Sequence, residues 1–124
     1  MSAPWSITAT GAAAQASASQ AAPNAPYQNR LRAIQCTLSG TAVGAVKIVV
    51  RDGASGAGAI IGQFDLSIPT SNGPAAILAL TGLDLRASPG NALTLESTGS
   101  GGANTTTDVN GQGDIVPVGW PAYQ

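Results

Sequence analysis

The chain has 124 residues, of which five are basic and six acidic, and it contains no histidine. A chain of this length suits one domain that buries roughly two-thirds of its unfolded surface. Without histidine the chain lacks the usual general base at neutral pH, which excludes serine–histidine and cysteine–histidine nucleophile pairs and ordinary zinc sites. The composition therefore predicts a protein that is not an enzyme and works by binding protein surfaces.

The charge balance and the single cysteine set further limits. A formal net charge of −1 gives no electrostatic reason to expect a nucleic-acid or membrane partner. Cys36 has no second cysteine with which to form an internal disulfide. We see neither a secretory signal at the N-terminus nor an apolar run long enough to span a membrane. We therefore expect the chain to be made and folded in a cytoplasm.

The N-terminal part of the chain begins with a predicted strand near Trp5–Ala9. The segment from Ala12 to Ala22 is ambiguous, because alanine favours helix but here alternates strictly with glutamine and serine. We favour a strand or an extended arm, whose small side chains allow close packing against another backbone or a partner subunit. Residues 1–26 are therefore predicted to be an N-terminal arm or edge strands, and residues 27–124 a β-sandwich domain with a short C-terminal aromatic tail.

In the next predicted strand, Asn29–Leu38, the apolar residues shift from odd-numbered to even-numbered positions part-way along. Leu31 and Ala33 share one parity, whereas Ile34 and the apolar residues after it occupy the other. A β-bulge near Ala33 reconciles the two patterns, and partial burial of both faces does so equally well. Both interpretations stay open.

The rest of the chain alternates apolar and polar residues in short runs. Predicted strands lie at Val46–Arg51, Gln63–Ile68, Ala75–Leu80, Leu93–Glu96, Asn104–Asn110 and Ile115–Val118, separated by glycine- and proline-containing turns. Eight or nine short strands indicate an all-β antiparallel sandwich, jelly-roll-like, of about eight strands with an extended N-terminal arm. Strand count alone does not separate a jelly roll from an immunoglobulin-like sandwich.

Two glycine-rich segments resemble ligand-binding motifs. Gly56–Gly62 has the spacing GxGxxxG and no following helix, so we interpret it as a hairpin loop rather than a dinucleotide site. Asp108, Asn110 and Asp114 form a weak calcium alternative, because the oxygen ligands and a following glycine are spaced as in a calcium loop. The closing glutamate of such a loop is replaced by Gly119, and a glycine-rich turn between two strands is the favoured interpretation.

The candidate partner-binding residues lie mostly near the chain ends. Aromatic rings beside prolines suit anchoring onto a neighbouring subunit, although exposed rings also suit a sugar platform. Two arginines on one strand face either pair with a partner's carboxylates or are simply exposed. The predicted partner-binding set is Trp5, Ile7, Arg30, Arg32, Trp120 and Tyr123.

Four segments in order carry a resemblance to a known family. They are Trp-Ser-Ile-Thr-Ala-Thr-Gly-Ala-Ala, Val-Val-Arg-Asp-Gly, Ser-Pro-Gly-Asn-Ala-Leu-Thr-Leu-Glu and Gly-Gly-Ala-Asn-Thr-Thr-Thr-Asp-Val-Asn-Gly. Together they resemble small virion proteins of tailed bacteriophages, particularly jelly-roll capsid decoration (cement) proteins. The resemblance spans most of the chain and rests on the general residue pattern and on the order of these segments.

The resemblance implies a structural protein on the capsid exterior, made in the host cytoplasm. It implies self-association as a dimer or trimer, and binding to the major capsid protein so that neighbouring subunits are bridged and the shell is stabilised. It implies no cofactor and no catalytic residues. A tail-fibre or receptor-binding module that recognises surface glycans is the alternative, and a calcium-dependent adhesive sandwich is a further one.

Overall fold

The computed structural model describes residues 3–121, which form β-strands joined by turns and loops. The strands are β1 Ala3–Ala12, β2 Ser17–Gln20, β3 Tyr27–Gly40, β4 Gly44–Asp52, β5 Ala59–Ile68, β6 Ala76–Leu80, β7 Leu85–Arg86, β8 Leu93–Ser97 and β9 Thr105–Pro117. Within residues 3–121 there is no helix of the length and apolarity needed to cross a membrane. The predicted partner-binding residue Tyr123 lies outside the described residues.

The strands form two antiparallel sheets, which confirms the predicted all-β sandwich. Sheet A has the order β1-β9-β3-β6, with the short β7 also pairing with β3, and sheet B has the order β2-β8-β4-β5. Several successive strands lie in different sheets, so the chain repeatedly crosses from one layer to the other. This order is jelly-roll-like.

The core lies between the two sheets. It consists of the apolar side chains that alternate along each strand and point inward. The strongest alternations predicted from the sequence, in β4 and β5, put Ile48, Val50 and Leu66 inside. From sheet A the facing residues include Leu31, Cys36 and Val109, and all of these side chains are buried. Burial of apolar surface between the layers is the main term that stabilises such a sandwich.

The phase change in β3 is a β-bulge, as one of the two interpretations predicted. Leu31 pairs with Gly113 of β9 and Ala33 pairs with Gln112, so Arg32 is the additional residue on β3. The bulge turns the side chains after it by one position, which allows Leu31 and Ile34 both to face the core.

The N-terminal segment forms edge strands rather than a detached arm. β1 is the edge strand of sheet A, and β2 is the edge strand of sheet B. The alternation in the alanine-rich segment is that of a strand, because Ala16 and Ala18 are buried in the core while Ser17 and Ser19 are exposed. Small side chains at this position let β2 close one side of the sandwich.

The C-terminal part corrects the sequence interpretation. A glycine-rich turn over Asp108–Ile115 was expected between two strands, but β9 runs without interruption from Thr105 to Pro117. The expectation is wrong because Gly113 serves close packing: a Cβ at this position would collide with the carbonyl oxygen of Arg30 and the ring of Trp5. By contrast, the hairpin loop expected at Gly56–Gly62 is confirmed in its first part, since residues 53–58 join β4 to β5.

The division between core and outer face makes a direct prediction. Leu95→Ala removes a fully buried side chain, and we expect it to lower the free energy of unfolding by about 3 kcal/mol. Ile77→Ala alters a side chain that is 66% exposed on sheet A, and we expect a change within about 0.5 kcal/mol. Urea denaturation followed by tryptophan fluorescence measures both, and equal losses would contradict the described core.

Candidate partner-binding surface

The outer face of sheet A carries a polar surface that spans four strands. Strand pairing aligns its side chains into rows that cross all four strands, for example Thr8, Asn110, Gln35 and Ala79. The next row is Thr10, Asp108, Thr37 and Ile77, and on the other side a shorter row joins Ser6, Gln112 and Ala33. We call the side chains of these three rows the sheet A face.

Hydrogen bonds between strands hold the polar groups of the sheet A face in place. Thr8 Oγ1 donates to Asn110 Oδ1 at 2.6 Å, and Asn110 Nδ2 donates to the backbone oxygen of Gln35 at 3.1 Å. Asp108 accepts from Thr10 Oγ1 at 2.5 Å and from Thr37 Oγ1 at 3.3 Å. These cross-strand contacts fix side-chain rotamers before any partner arrives, which lowers the entropy cost of binding.

A groove crosses the end of the sheet A face where the β3 bulge lies. It has a cavity volume of about 560 Å³, and Trp5, Ser6, Arg32 and Gln112 contribute to its walls. A smaller depression of about 200 Å³ adjoins it and shares Ala33 and Gln112 with it. The additional residue of the bulge, Arg32, therefore brings a positive charge to the wall of this groove.

Trp5 connects the groove to the core. Its side chain is half-buried, packs against the core cluster and lies over Gly113, its direct partner on β9. The indole Nε1 is buried and finds no hydrogen-bond acceptor among residues 3–121. Ile7, two residues further along β1, also faces inward and is half-buried against the core.

Arg30 occupies a different environment from Arg32, although the sequence pattern placed them on one face. Its side chain is 0% exposed and binds Asp114 with two hydrogen bonds, Nε to Oδ1 at 2.9 Å and Nη2 to Oδ2 at 2.8 Å. The hydrogen bond to Asp114 raises the pKa of Arg30 above its ordinary value. The prediction of Arg30 as a partner-binding residue is therefore wrong, because its guanidinium is buried and already hydrogen-bonded to Asp114 within the chain.

Arg32 is more exposed than Arg30. Its side chain is 37% exposed, and its Nη1 lies 3.9 Å from Asp114 Oδ2, at the limit of an ion pair. Of the two predicted arginines, the structure brings only Arg32 to the wall of the groove, together with Trp5.

The C-terminal tail is bound back onto sheet A. Arg30 Nη1 donates to the carbonyl oxygen of Pro121 at 2.9 Å, and Arg86 Nη2 donates to the carbonyl oxygen of Trp120. The amide of Val118 donates to the carbonyl oxygen of Pro26 at 3.2 Å. Trp120 is half-buried and its Nε1 is enclosed, so this ring lies against its own domain rather than free.

A second charged cluster lies on the outer side of sheet B. The Glu96 carboxylate is fully buried and accepts from Arg51 Nε at 2.6 Å, Gly56 N at 2.8 Å and Ser17 Oγ at 3.0 Å. Ser55 and Gln15 donate to it as well. Burial alone would raise the pKa of Glu96, but these hydrogen bonds outweigh burial and hold its pKa below the ordinary value.

The donors around Glu96 come from three separate parts of the chain. They tie the β4–β5 loop and the approach to β2 onto β8. Every named contact donates a hydrogen bond to the ionised carboxylate, an arrangement that keeps the group charged rather than poised to transfer a proton. We therefore assign this cluster to structure.

The calcium alternative is not supported by the geometry of β9. Asp108, Asn110 and Asp114 lie along one extended strand, and the two carboxylates are about 20 Å apart along it at the usual rise per residue. Asp114 is bound by Arg30, and Asp108 by threonines. Among residues 3–121, no three histidine, cysteine, aspartate or glutamate side chains are grouped to hold a metal ion.

Cys36 is a core residue. Burial raises the pKa of its thiol to about 11, so the reactive thiolate is scarce at neutral pH.

Sequence reasoning missed most of the sheet A face. Its signal is present in two alternations of the same parity, Ser6-Thr8-Thr10 in β1 and Asp108-Asn110-Gln112 in β9. The second alternation was concealed because its glycines were interpreted as a turn. That the two strands are neighbours follows only from the pairing of chain segments about 100 residues apart, such as Thr8 and Asn110 with a separation of 102.

Comparisons with known proteins give a likeness of fold. No family model matches the chain, and no curated protein matches it. One similar solved structure is described as "CBM4 structure and function", with a TM-score of 0.40 and 10% identity over 90% of this chain and 94% of that chain. Another is "Structure of Arabinose-Bound MgGH51 a-L-Arabinofuranosidase Crystal Type 1", with a TM-score of 0.41 and 12% identity over 86% of this chain and 18% of that chain. At these values neither protein's ligand nor its activity is carried over to this chain.

The two arginines at the bulge provide a matched pair of variants. Arg30→Ala leaves Asp114 without its bidentate partner in a buried setting, and we expect the free energy of unfolding to fall by about 3 kcal/mol or more. Arg32→Ala affects a solvent-screened contact, for which we expect a loss below about 1 kcal/mol. Urea denaturation of both variants makes the comparison, and similar losses would show that Arg30 is not the structural arginine.

The Glu96 cluster predicts loss of stability in acid. Because the folded-state pKa of Glu96 is lowered, its contribution is complete above the ordinary value of 4.5 and is lost as the pH falls through the folded pKa. Glu96→Gln should be less stable at neutral pH and should lose less stability on acidification. Urea titrations at neutral pH and at several pH values below 4.5 test this, and parallel acid profiles for the two proteins would contradict it.

Proposed function

We propose that this chain is a non-enzymatic structural protein, a capsid decoration or cement protein of a tailed bacteriophage. It binds the outside of the head, bridges neighbouring major capsid subunits and stabilises the shell. The sequence resemblance supports the choice of partner. The observation that carries the binding role is the sheet A face, a wide polar surface already ordered by its own hydrogen bonds.

The chemistry of the sheet A face suits a protein partner. Its rows consist mainly of hydroxyl, amide and small side chains, with Asp108 as the charged member. Four strands at the usual spacing make a surface about 15 Å wide, before the contribution of the groove. Interfaces between separate proteins are commonly about as polar as the remaining surface, so a face of this kind needs no large apolar patch to bind.

The mechanism of stabilisation is thermodynamic linkage. A protein that binds only the assembled and expanded shell lowers the free energy of that state and leaves the free subunits unchanged. Many copies on one shell make the effect collective, even when each contact is modest. The proposed location is the exterior of the virion, after synthesis in the host cytoplasm.

Co-sedimentation with purified heads that lack the protein tests the proposal. The neighbouring genes identify the heads to use, since a major capsid gene beside this one would specify the partner. We expect the wild-type chain to sediment with heads and to raise the temperature at which they release DNA. Absence of binding to these heads would overturn the capsid assignment.

Two lysine variants locate the binding surface. Gln35→Lys with Gln112→Lys adds two charges to exposed positions of the sheet A face, and should reduce head occupancy by at least about tenfold because each charge is buried without a partner. Gln63→Lys with Ser67→Lys adds the same charge to exposed positions of β5 in sheet B, and should bind as the wild type does. Normal binding by the first variant would show that another surface makes the contact.

A tail-fibre or receptor-binding module that recognises surface glycans is the second candidate. The groove favours it, because a guanidinium, an amide and a hydroxyl converge there beside Trp5. This candidate predicts binding to immobilised glycans that is lost in Arg32→Ala, and no binding to heads. Glycan binding that survives Arg32→Ala would remove the groove as its site.

A further inference from the structure

In the part of the chain that the structure describes, β1 presents a free backbone edge along one side of sheet A. Its inner side pairs with β9 from Ala3 opposite Ile115 to Ala12 opposite Thr106, and the strand order ends at β1. The alternate backbone amides and carbonyls on its other side therefore face away from the sheet. Such a row of groups is a ready template for a further strand.

This edge lacks the protection that sheet edges usually carry. Ala3–Ala12 contains no charged residue, its pairing with β9 shows no register shift, and Pro4 near its start is the single residue without an amide hydrogen. The other long edge strand, β5, carries Asp65 and a register shift opposite Val50 and Arg51. The remaining edge strands are shorter, with four residues in β2 and five in β6.

We propose that a second copy of this chain pairs with β1 in antiparallel fashion, joining two A sheets into one continuous sheet around a two-fold axis. A two-fold contact needs a surface that complements itself. With the axis at Ile7, the pairing extends from Ala3 to Gly11 and uses almost the whole strand. Trp5 then lies opposite Ala9 of the second copy, so a large side chain meets a small one on each side of the axis.

This pairing would cover inward-facing side chains of β1 that are only partly buried in the single sandwich. Trp5, Ile7 and Ala9 face the core and yet are only half-buried, because no strand within residues 3–121 lies beyond β1. On the outer face Ser6 lies opposite Thr8, two exposed hydroxyl residues of the kind that pair well across strands. No charges oppose one another along the edge, and a net charge of −1 for each chain gives little repulsion.

The contact is expected to be reversible. One strand pair with its flanking side chains is at the small end of specific interfaces, which corresponds to a dimer that depends on concentration. This inference deepens the self-association in the proposed function by naming its interface. Its test uses the isolated protein, so it succeeds or fails independently of binding to heads.

Sedimentation velocity over a range of concentrations tests the dimer. The wild-type chain should move from monomer to dimer as the concentration rises. Ser6→Lys with Thr8→Lys places lysine directly opposite lysine across the axis and should remain monomeric. Gln63→Lys with Ser67→Lys, which adds the same charge on β5, should dimerise as the wild type does. Circular dichroism verifies that each variant is folded.

A charge-reversal experiment distinguishes edge pairing from a general effect of charge. Ser6→Glu with Thr8→Glu should also be monomeric, and mixing it with the lysine variant should give a heterodimer. The proposal is overturned if the wild type stays monomeric at millimolar concentration, if the lysine variant still forms dimers, or if the mixture does not associate.

A cysteine variant tests the register. Ile7→Cys places the two thiols next to each other at the axis, so mild oxidation should give a covalent dimer. Thr10→Cys puts them about 20 Å apart along the strands and should not cross-link. Cys36 is buried and is shared by both variants. Cross-linking through position 10 alone would overturn the proposed register.

Discussion

The pairing of β9 on both of its sides is the constraint on which the rest of sheet A depends. Its backbone hydrogen-bonds to β1 on one side and to β3 on the other for almost its whole length. At Gly113 the neighbours approach so closely that no side chain fits. This central strand aligns the polar rows of the sheet A face, places Trp5 over Gly113, and leaves β1 at the free edge.

The few charges of the chain are used mainly inside it. Arg30 and Asp114 form a buried pair on sheet A, while Arg51 and Glu96 form another on sheet B. The first pair helps to hold the C-terminal tail, and the second holds the β4–β5 loop. A buried ion pair contributes little net stability compared with apolar packing, but it fixes geometry strongly because breaking it leaves a charge unpaired. The sheet A face is left with mainly hydroxyl and amide groups, with Asp108 as its charged member.

Local pattern was sufficient to predict the all-β class and the alternation of β4 and β5, and it offered a bulge near Ala33 as one of two interpretations of β3. It failed wherever a residue's environment is set by a distant segment. The glycine at position 113 suggested a turn. Glycine is needed there because a side chain would collide with the carbonyl oxygen of Arg30 and the ring of Trp5. Arg30 was predicted to bind a partner because its own partner, Asp114, lies 84 residues away in the sequence. The groove likewise combines three strands that no local pattern joins.

The adjacency of β1 and β9 has a consequence for how the chain is made. Among the described strands β1 pairs in sheet A only with β9, which follows all the others in the sequence, so β1 lacks this partner until the intervening strands have been synthesised. Contacts between such distant segments slow folding. During this delay both edges of β1 are open, and its uncharged backbone can pair with a strand of another chain. The late pairing of β1 therefore leaves an uncharged strand edge exposed to aggregation while the chain folds.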